Sequence, residues 1–131
     1  MSERLFDVEP ADERVRFLAL LEPFAGLDPA ELERVAASVG ERLVPAGAAV
    51  LVESGLPGTQ LYVVHEGTLE LLHKQALVAI LTSGEIFGHP TLLTGLAPEF
   101  TARARTDSTV YCIPKDAVSY THLTLPTKRI V

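Results

Sequence analysis

Leu61-Tyr62-Val63-Val64-His65-Glu66-Gly67-Thr68-Leu69-Glu70-Leu71 holds the basic unit of the fold: two β-prone runs, Gln60–His65 and Thr68–His73, about the turn pair Glu66-Gly67. The same rhythm repeats outward in both directions. Further short runs stand at Arg42–Val44, Val50–Glu53, Leu77–Thr82, Phe100–Thr106 and Thr109–Pro114. Pro45-Ala46-Gly47, Gly55-Leu56-Pro57-Gly58, Ser83-Gly84 and Thr106-Asp107-Ser108 separate them. Many short strands spaced by turns predict an antiparallel sandwich or barrel rather than a parallel α/β sheet. One segment breaks the rhythm: in Phe87 to Gly95, His89-Pro90-Thr91-Leu92-Leu93 reads as a single helical turn with Pro90 near its start.

Two helices precede the strands. Pro10 to Leu21 carries Val15, Phe17, Leu18, Leu20 and Leu21 as a wide apolar stripe. The second helix opens with Asp28 as N-cap, Pro29 at the first helical position and Glu31 three residues after the cap, an Asp form of the capping box. Leu32, Val35 and Val39 repeat at helical spacing, and Gly40 is expected to close the helix in a left-handed conformation. The expected class is therefore mainly β with flanking helices.

Composition bounds the function. A chain of 131 residues has room for one ordinary domain, and a hydrophobic fraction of 47% supplies a core. Eleven basic against seventeen acidic residues leave a net charge of −6, so this segment is expected to make no direct nucleic-acid contact. The longest apolar stretch, Leu43 to Val52, is interrupted by Pro45 and Gly47 and is too short to span a membrane. One cysteine forms no internal disulfide, and Met1 to Asp7 lacks a secretory signal, so the expected location is cytoplasmic.

The last stretch fits neither pattern. Ser119 to Val131 has no helical stripe and no acidic residue, and Pro126 breaks its only extended run. It resembles the peptide produced when a sequencing-adapter stretch is translated. Residues 1–118 are thus expected to form the domain (helices within 10–39, strands within 41–114), with 119–131 an artefactual or disordered tail on a truncated natural protein.

Several motifs in order resemble the cyclic nucleotide-binding domain family. Pro45-Ala46-Gly47, Glu53-Ser54-Gly55-Leu56-Pro57-Gly58 and Leu61 to Leu71 resemble its first half. Gly84-Glu85-Ile86-Phe87-Gly88, followed by Leu92-Leu93-Thr94-Gly95, is similar to its phosphate-binding cassette; Arg103-Ala104 and Ile113-Pro114 complete the likeness, which covers residues 14 to 118. The resemblance implies an antiparallel eight-stranded β-roll, jelly-roll-like, with a ligand pocket formed by Gly84, Phe87, Gly88, His89, Pro90, Thr91, Leu92, Pro98, Glu99 and Phe100. Within it, Gly84 and Gly88 would allow close backbone approach, and Leu92 and Leu93 would anchor the short helix into the barrel. The wording Phe87-Gly88-His89-Pro90-Thr91-Leu92-Leu93-Thr94-Gly95 with Phe100-Thr101-Ala102-Arg103-Ala104 looks closest to bacterial signal-transduction proteins, in which this domain precedes paired CBS domains and a nucleotidyltransferase-like domain.

The cassette departs from the family at its centre. Where the family has a Glu for the ribose hydroxyl, this chain has His89; where it has an Arg for the cyclic phosphate, this chain has Pro98, with Glu99 beside it. Pro90 also removes an N–H from the first turn of the helix. Strand alternation sets Phe100, Ala102 and Ala104 against Thr101, Arg103 and Arg105, which puts Pro98 inward and both arginines outward. Binding of standard cyclic AMP or cyclic GMP is expected to be weak or lost. The lid helix that the family places after the last strand would start near Lys115-Asp116-Ala117 and is expected to be absent.

Other candidate chemistry is sparse. His65, His73 and His89 invite a metal reading, but His65 and His73 each close a strand and no His-x-His pair exists, so no metal site is expected and the strand-end rings are read as solvated. Cys112, in a strand beside Tyr111 and Ile113, reads as a small packed residue. Glu53, Glu66, Glu70 and Glu85 read as solvated. No nucleophile elbow, Cys–His pair or phosphate loop is present, so no enzyme and no catalytic residue is expected. The expected function is a regulatory sensor module controlling a downstream effector domain in cis, with a small nucleotide-like ligand, no bound cofactor and no membrane partner. The alternatives are the sensor of a transcription regulator whose helix-turn-helix was lost with the C-terminus, and a metal-dependent β-barrel enzyme.

Overall fold

In the computed structural model, which describes residues 10–119, the helical layer comes first: α1 (Pro10–Ala19), a 3-10 turn (Phe24–Gly26) and α2 (Pro29–Ser38). Eight strands follow: β1 (Gly40–Val44), β2 (Ala49–Leu51), β3 (Gln60–Glu66), β4 (Leu69–His73), β5 (Ala76–Leu81), β6 (Ile86–Phe87), β7 (Thr101–Ala104) and β8 (Ser108–Pro114). Between β6 and β7 lies α3 (His89–Thr94), and α4 (Lys115–Ser119) leaves β8 directly. Residues 120–131, most of the expected tail, lie outside the described residues, as do residues 1–9. No helix among the described residues is long and apolar enough to cross a membrane.

The strands form two four-stranded antiparallel sheets, ordered β1-β8-β3-β6 and β2-β7-β4-β5. Each sheet thus takes its last strand in a middle position: β8 sits between β1 and β3, and β7 between β2 and β4. This is the mainly β, eight-stranded architecture with flanking helices that the sequence predicted. β6 is the strand the alternation did not reveal, since two residues cannot display a period. Backbone bonds Gly84 N–H to Val64 O and Val64 N–H to Glu85 O, 2.8 and 2.9 Å, steer it onto β3.

β3 and β8 are apolar on both faces because each face meets a different layer. Tyr62, Val64, Val110 and Cys112 point between the sheets, joining Leu69, Leu71, Leu81, Phe87, Ala102 and Ala104. Leu61, Val63, Tyr111 and Ile113 point the other way, onto Leu18, Phe24, Leu32, Val35 and Ala36 of the helical layer. Each such burial contributes about 1.5–3 kcal/mol per large side chain.

Asp28 caps α2 as read, its Oδ1 accepting the Glu31 N–H at 2.8 Å. Three expectations are corrected. Gly40 does not close α2 in a left-handed state; Val39 ends the helix in extended conformation (φ −71°) and Gly40 already pairs with Cys112 in the sheet. Leu92 and Leu93 do not both anchor α3: the turn of about 100° per residue sends Leu92 into the helix-side core and leaves Leu93 half exposed. A helix does start at Lys115, and its Ala117 and Val118 pack against the helix-side core.

Candidate ligand-binding site

β6 ends at Phe87, whose ring stacks on Tyr62 at 5.1 Å between centroids. Gly88 then turns the chain into α3 with φ +86°, and a Cβ there would stand 2.9 Å from Tyr62 Cδ2. Only glycine satisfies both the conformation and the space. From this corner a narrow cleft opens, walled by Phe87, Gly88, Pro90, Thr91, Pro98, Glu99 and Phe100 together with Leu51, Leu71 and Ala102. Its volume is about 40 Å³, which is room for a few waters, whereas a nucleotide-sized ligand needs about 300 Å³ or more.

Seven of the ten residues singled out in the sequence therefore meet at one cleft. The other three sit elsewhere. Gly84 occupies the turn before β6 with φ +94°, where a Cβ would press on Leu21 Cδ2 at 3.0 Å. Leu92 faces the helical layer. His89 is fully buried and does not line the cleft. Leu51, Leu71 and Ala102 escaped the sequence reading, although strand alternation held a signal for two of them: Leu71 and Ala102 are paired across β4 and β7 and both point inward.

Polar ties hold the cleft in shape. Thr91 Oγ1 accepts the Gly58 N–H at 2.9 Å and donates to the Leu96 carbonyl, pinning α3 to the loop before β3 and to its own exit. The opposite wall hangs on the bond from Ser54 N–H to Pro98 O, 2.9 Å. Pro98 is buried, so its ring contributes apolar surface; Glu99, exposed at the rim, is the one charged residue among those lining the cleft. Arg103 points away: its Nε and Nη2 donate to Glu70 Oε2 at 2.9 and 2.6 Å, and Arg105 approaches the same carboxylate at 3.8 Å.

Several residues read as solvated are engaged. His65 stacks on Tyr111 at 4.4 Å, receives the edge of Phe17 at 5.0 Å and lies 3.5 Å from Glu41 Oε2, joining α1 to the sheet. His73 lies 3.0 Å from Glu53, and Glu70 holds two arginines. Their partners are distant in sequence, which hid them. Among the described residues no three His, Cys, Asp or Glu side chains converge as a metal site. Cys112 is buried opposite Tyr62, and burial pushes its thiol up, only partly offset by Arg42. Burial is also the main cause of the raised phenol of Tyr62.

Fold and cleft together define a β-roll with a pocket lined by a short helix inserted between strands. The sequence model of the family described as "Cyclic nucleotide-binding domain" matches residues 41–121, and the chain belongs to this family. Solved structures agree on the fold. The regulatory domain of Toxoplasma gondii protein kinase A, crystallised with cAMP, is 22% identical at TM-score 0.78, over 84% of this chain and 44% of that one. The regulatory subunit of a cAMP-independent protein kinase A from Trypanosoma cruzi, bound to guanosine, is 20% identical at TM-score 0.77, over 84% and 40%. A cyclic nucleotide-binding-like protein from Brucella abortus is 20% identical at TM-score 0.70, over 82% and 96%. The chain thus spans less than half the length of the two kinase regulatory structures. No curated protein matches it in sequence.

Proposed function

We propose that this chain is a regulatory sensor module whose cleft takes an uncharged, nucleoside-like ligand in place of a cyclic nucleotide and signals its occupancy to an effector domain in cis. The observation that carries the reading is Pro98. It stands where the family resemblance places the phosphate-binding arginine, and it is buried in the cleft wall beside the carboxylate of Glu99. No lysine, arginine or histidine lines the cleft among the described residues. A phosphate entering it would lose its water without gaining a cation, and a missing partner in such a pair costs about 2–5 kcal/mol. Arg103 offers no substitute, being committed to Glu70 on the other face. The Trypanosoma cruzi relative, cAMP-independent and bound to guanosine, supports an uncharged nucleoside as the class of ligand.

The route from cleft to effector runs through α3. Thr91 faces the cleft, while the next residue, Leu92, packs in the core that also receives Ala117 and Val118 of α4. Widening the cleft to admit a ligand moves α3, and with it the seat of α4. The sequence resemblance points to CBS and nucleotidyltransferase-like domains as the effector, in a cytoplasmic bacterial protein.

Calorimetric titration with cAMP, cGMP and guanosine tests this reading. Wild-type protein is expected to take guanosine and to bind neither cyclic nucleotide more tightly than about 1 mM. The double variant Pro98→Arg, Glu99→Ala is expected to gain about tenfold or more in cAMP affinity. Micromolar cAMP binding by the wild type overturns the proposal.

A further inference from the structure

Beside the cleft, three segments far apart in sequence meet at one imidazole. His73 Nδ1, at the end of β4, lies 3.0 Å from Glu53 Oε2 and 3.2 Å from the backbone carbonyl of Glu99. Both neighbours are acceptors, so Nδ1 carries a proton in either charge state of the ring and donates to both. The other oxygen of Glu53 accepts the Lys74 N–H at 2.9 Å, and the Glu53 N–H donates to Thr101 Oγ1 at 3.0 Å. The His73 and Phe100 rings pack in an edge-to-face arrangement with centroids 5.8 Å apart. Both flanks are held in a conformation that side chains rarely adopt: φ is +62° at Ser54, +52° at Lys74 and +74° at Gln75. At Lys74 and Gln75 this is the two-residue turn that joins β4 to β5, and Ser54 lies in a loop, its N–H bound to the Pro98 carbonyl.

The residues held by this cluster are those of the cleft wall. Glu99 and Phe100 line the cleft, and Pro98 between them and Ser54 is bound to the Ser54 N–H. We propose that His73 and Glu53 are positioning residues that latch the 97–100 wall closed, and so set how far the cleft opens to a ligand. The function of the latch rests on the cleft being the ligand site; the latch itself does not. Because the bond to Glu99 is to its carbonyl, the Glu99 side chain is free to vary without opening the wall.

Hydrogen–deuterium exchange on the full chain separates the two. In His73→Phe the amides of Ala97, Glu99 and Phe100 are expected to exchange about fivefold to tenfold faster, with β3 unchanged. His73→Asn places an amide N–H near the position of Nδ1 and is expected to restore slow exchange. Glu53→Gln offers one acceptor and one donor to two donors, so it is expected to speed exchange in the same amides. Equal exchange in wild type and His73→Phe, or exchange in His73→Asn as fast as in His73→Phe, overturns the latch. Should His73→Phe also expose β3, the comparison of Glu53→Gln with Glu99→Ala decides: the latch requires faster wall exchange in the first and none in the second. Guanosine titration of His73→Phe and wild type then reads the ligand site: a latch confirmed by exchange with no guanosine uptake by either protein keeps the latch and removes the cleft as a guanosine site.

Discussion

β3 and the segment from Gly88 to Phe100 touch each other but are built by opposite rules. Leu61, Tyr62, Val63 and Val64 are all buried, held by apolar packing on both faces of one sheet. In the 88–100 segment, Leu93, Thr94, Gly95, Leu96 and Ala97 are exposed, and order comes from directional polar ties. Besides those of Thr91, Thr94 Oγ1 donates to Pro90 O at 2.8 Å and accepts the Leu96 N–H at 3.2 Å. Packing is cumulative and accepts volume-conserving swaps; a hydrogen bond depends on one atom in one place. The difference explains how the cleft wall can carry Pro98 beside Glu99 while the sheet beneath it keeps its architecture.

The largest expected effect lies in the strand. Leu61→Ala is expected to cost about 3 kcal/mol, within a range of about 2–5, as a global loss seen in thermal and urea unfolding. A cost confined to local exchange would erase the contrast between the two regions. Gly88→Ala sharpens it from the other side. The added methyl meets Tyr62 at 2.9 Å in a left-handed conformation, so a cost of about 2 kcal/mol is expected, with faster exchange concentrated in α3. A neutral outcome there would show that the cleft corner is soft.

The smallest effect is a pH dependence of the strand core. The Cys112 thiol is raised mainly by burial, with Arg42 opposing; the Tyr62 phenol is raised by burial and then by Cys112, again with Arg42 opposing. The fold therefore favours their protonated, neutral forms. Their contribution is fully present below the ordinary thiol value of 9.0 and is lost as pH rises through the raised values. The melting temperature should fall as pH rises above about 9, and Cys112→Ala should flatten the first part of that fall. Equal slopes in both proteins would remove Cys112 from the account.

The strand side of this comparison was the more legible in sequence. Seven short β-prone runs bounded by turn residues located seven strands; β3 and β8, buried on both faces, were legible from their length and flanking turns rather than from alternation. Asp28 announced the start of α2 through a contact three residues long. The end of α2 was misread at Gly40, where pairing with Cys112 outweighs the local preference for a left-handed cap. In the cleft, Phe87, Gly88 and Pro98 were visible through family resemblance and inward alternation. Glu53 and His73 were not, since their bonds join positions 20 or more residues apart and leave no periodic trace.

The strand order also sets a schedule for a chain that emerges from the ribosome N-terminus first. β1 and β3 are never neighbours; β8 must slide between them, and β7 must do the same between β2 and β4. Until residues 101–114 have been made, both sheets exist only as halves with open, hydrogen-bond-hungry borders. Any assembly begun earlier is provisional, and folding waits on pairings such as Tyr62 with Cys112, fifty residues later in the chain. The nascent domain is therefore at its stickiest just before residues 101–114 emerge, and a chaperone that shields the borders of β3 and β4 would act in that interval.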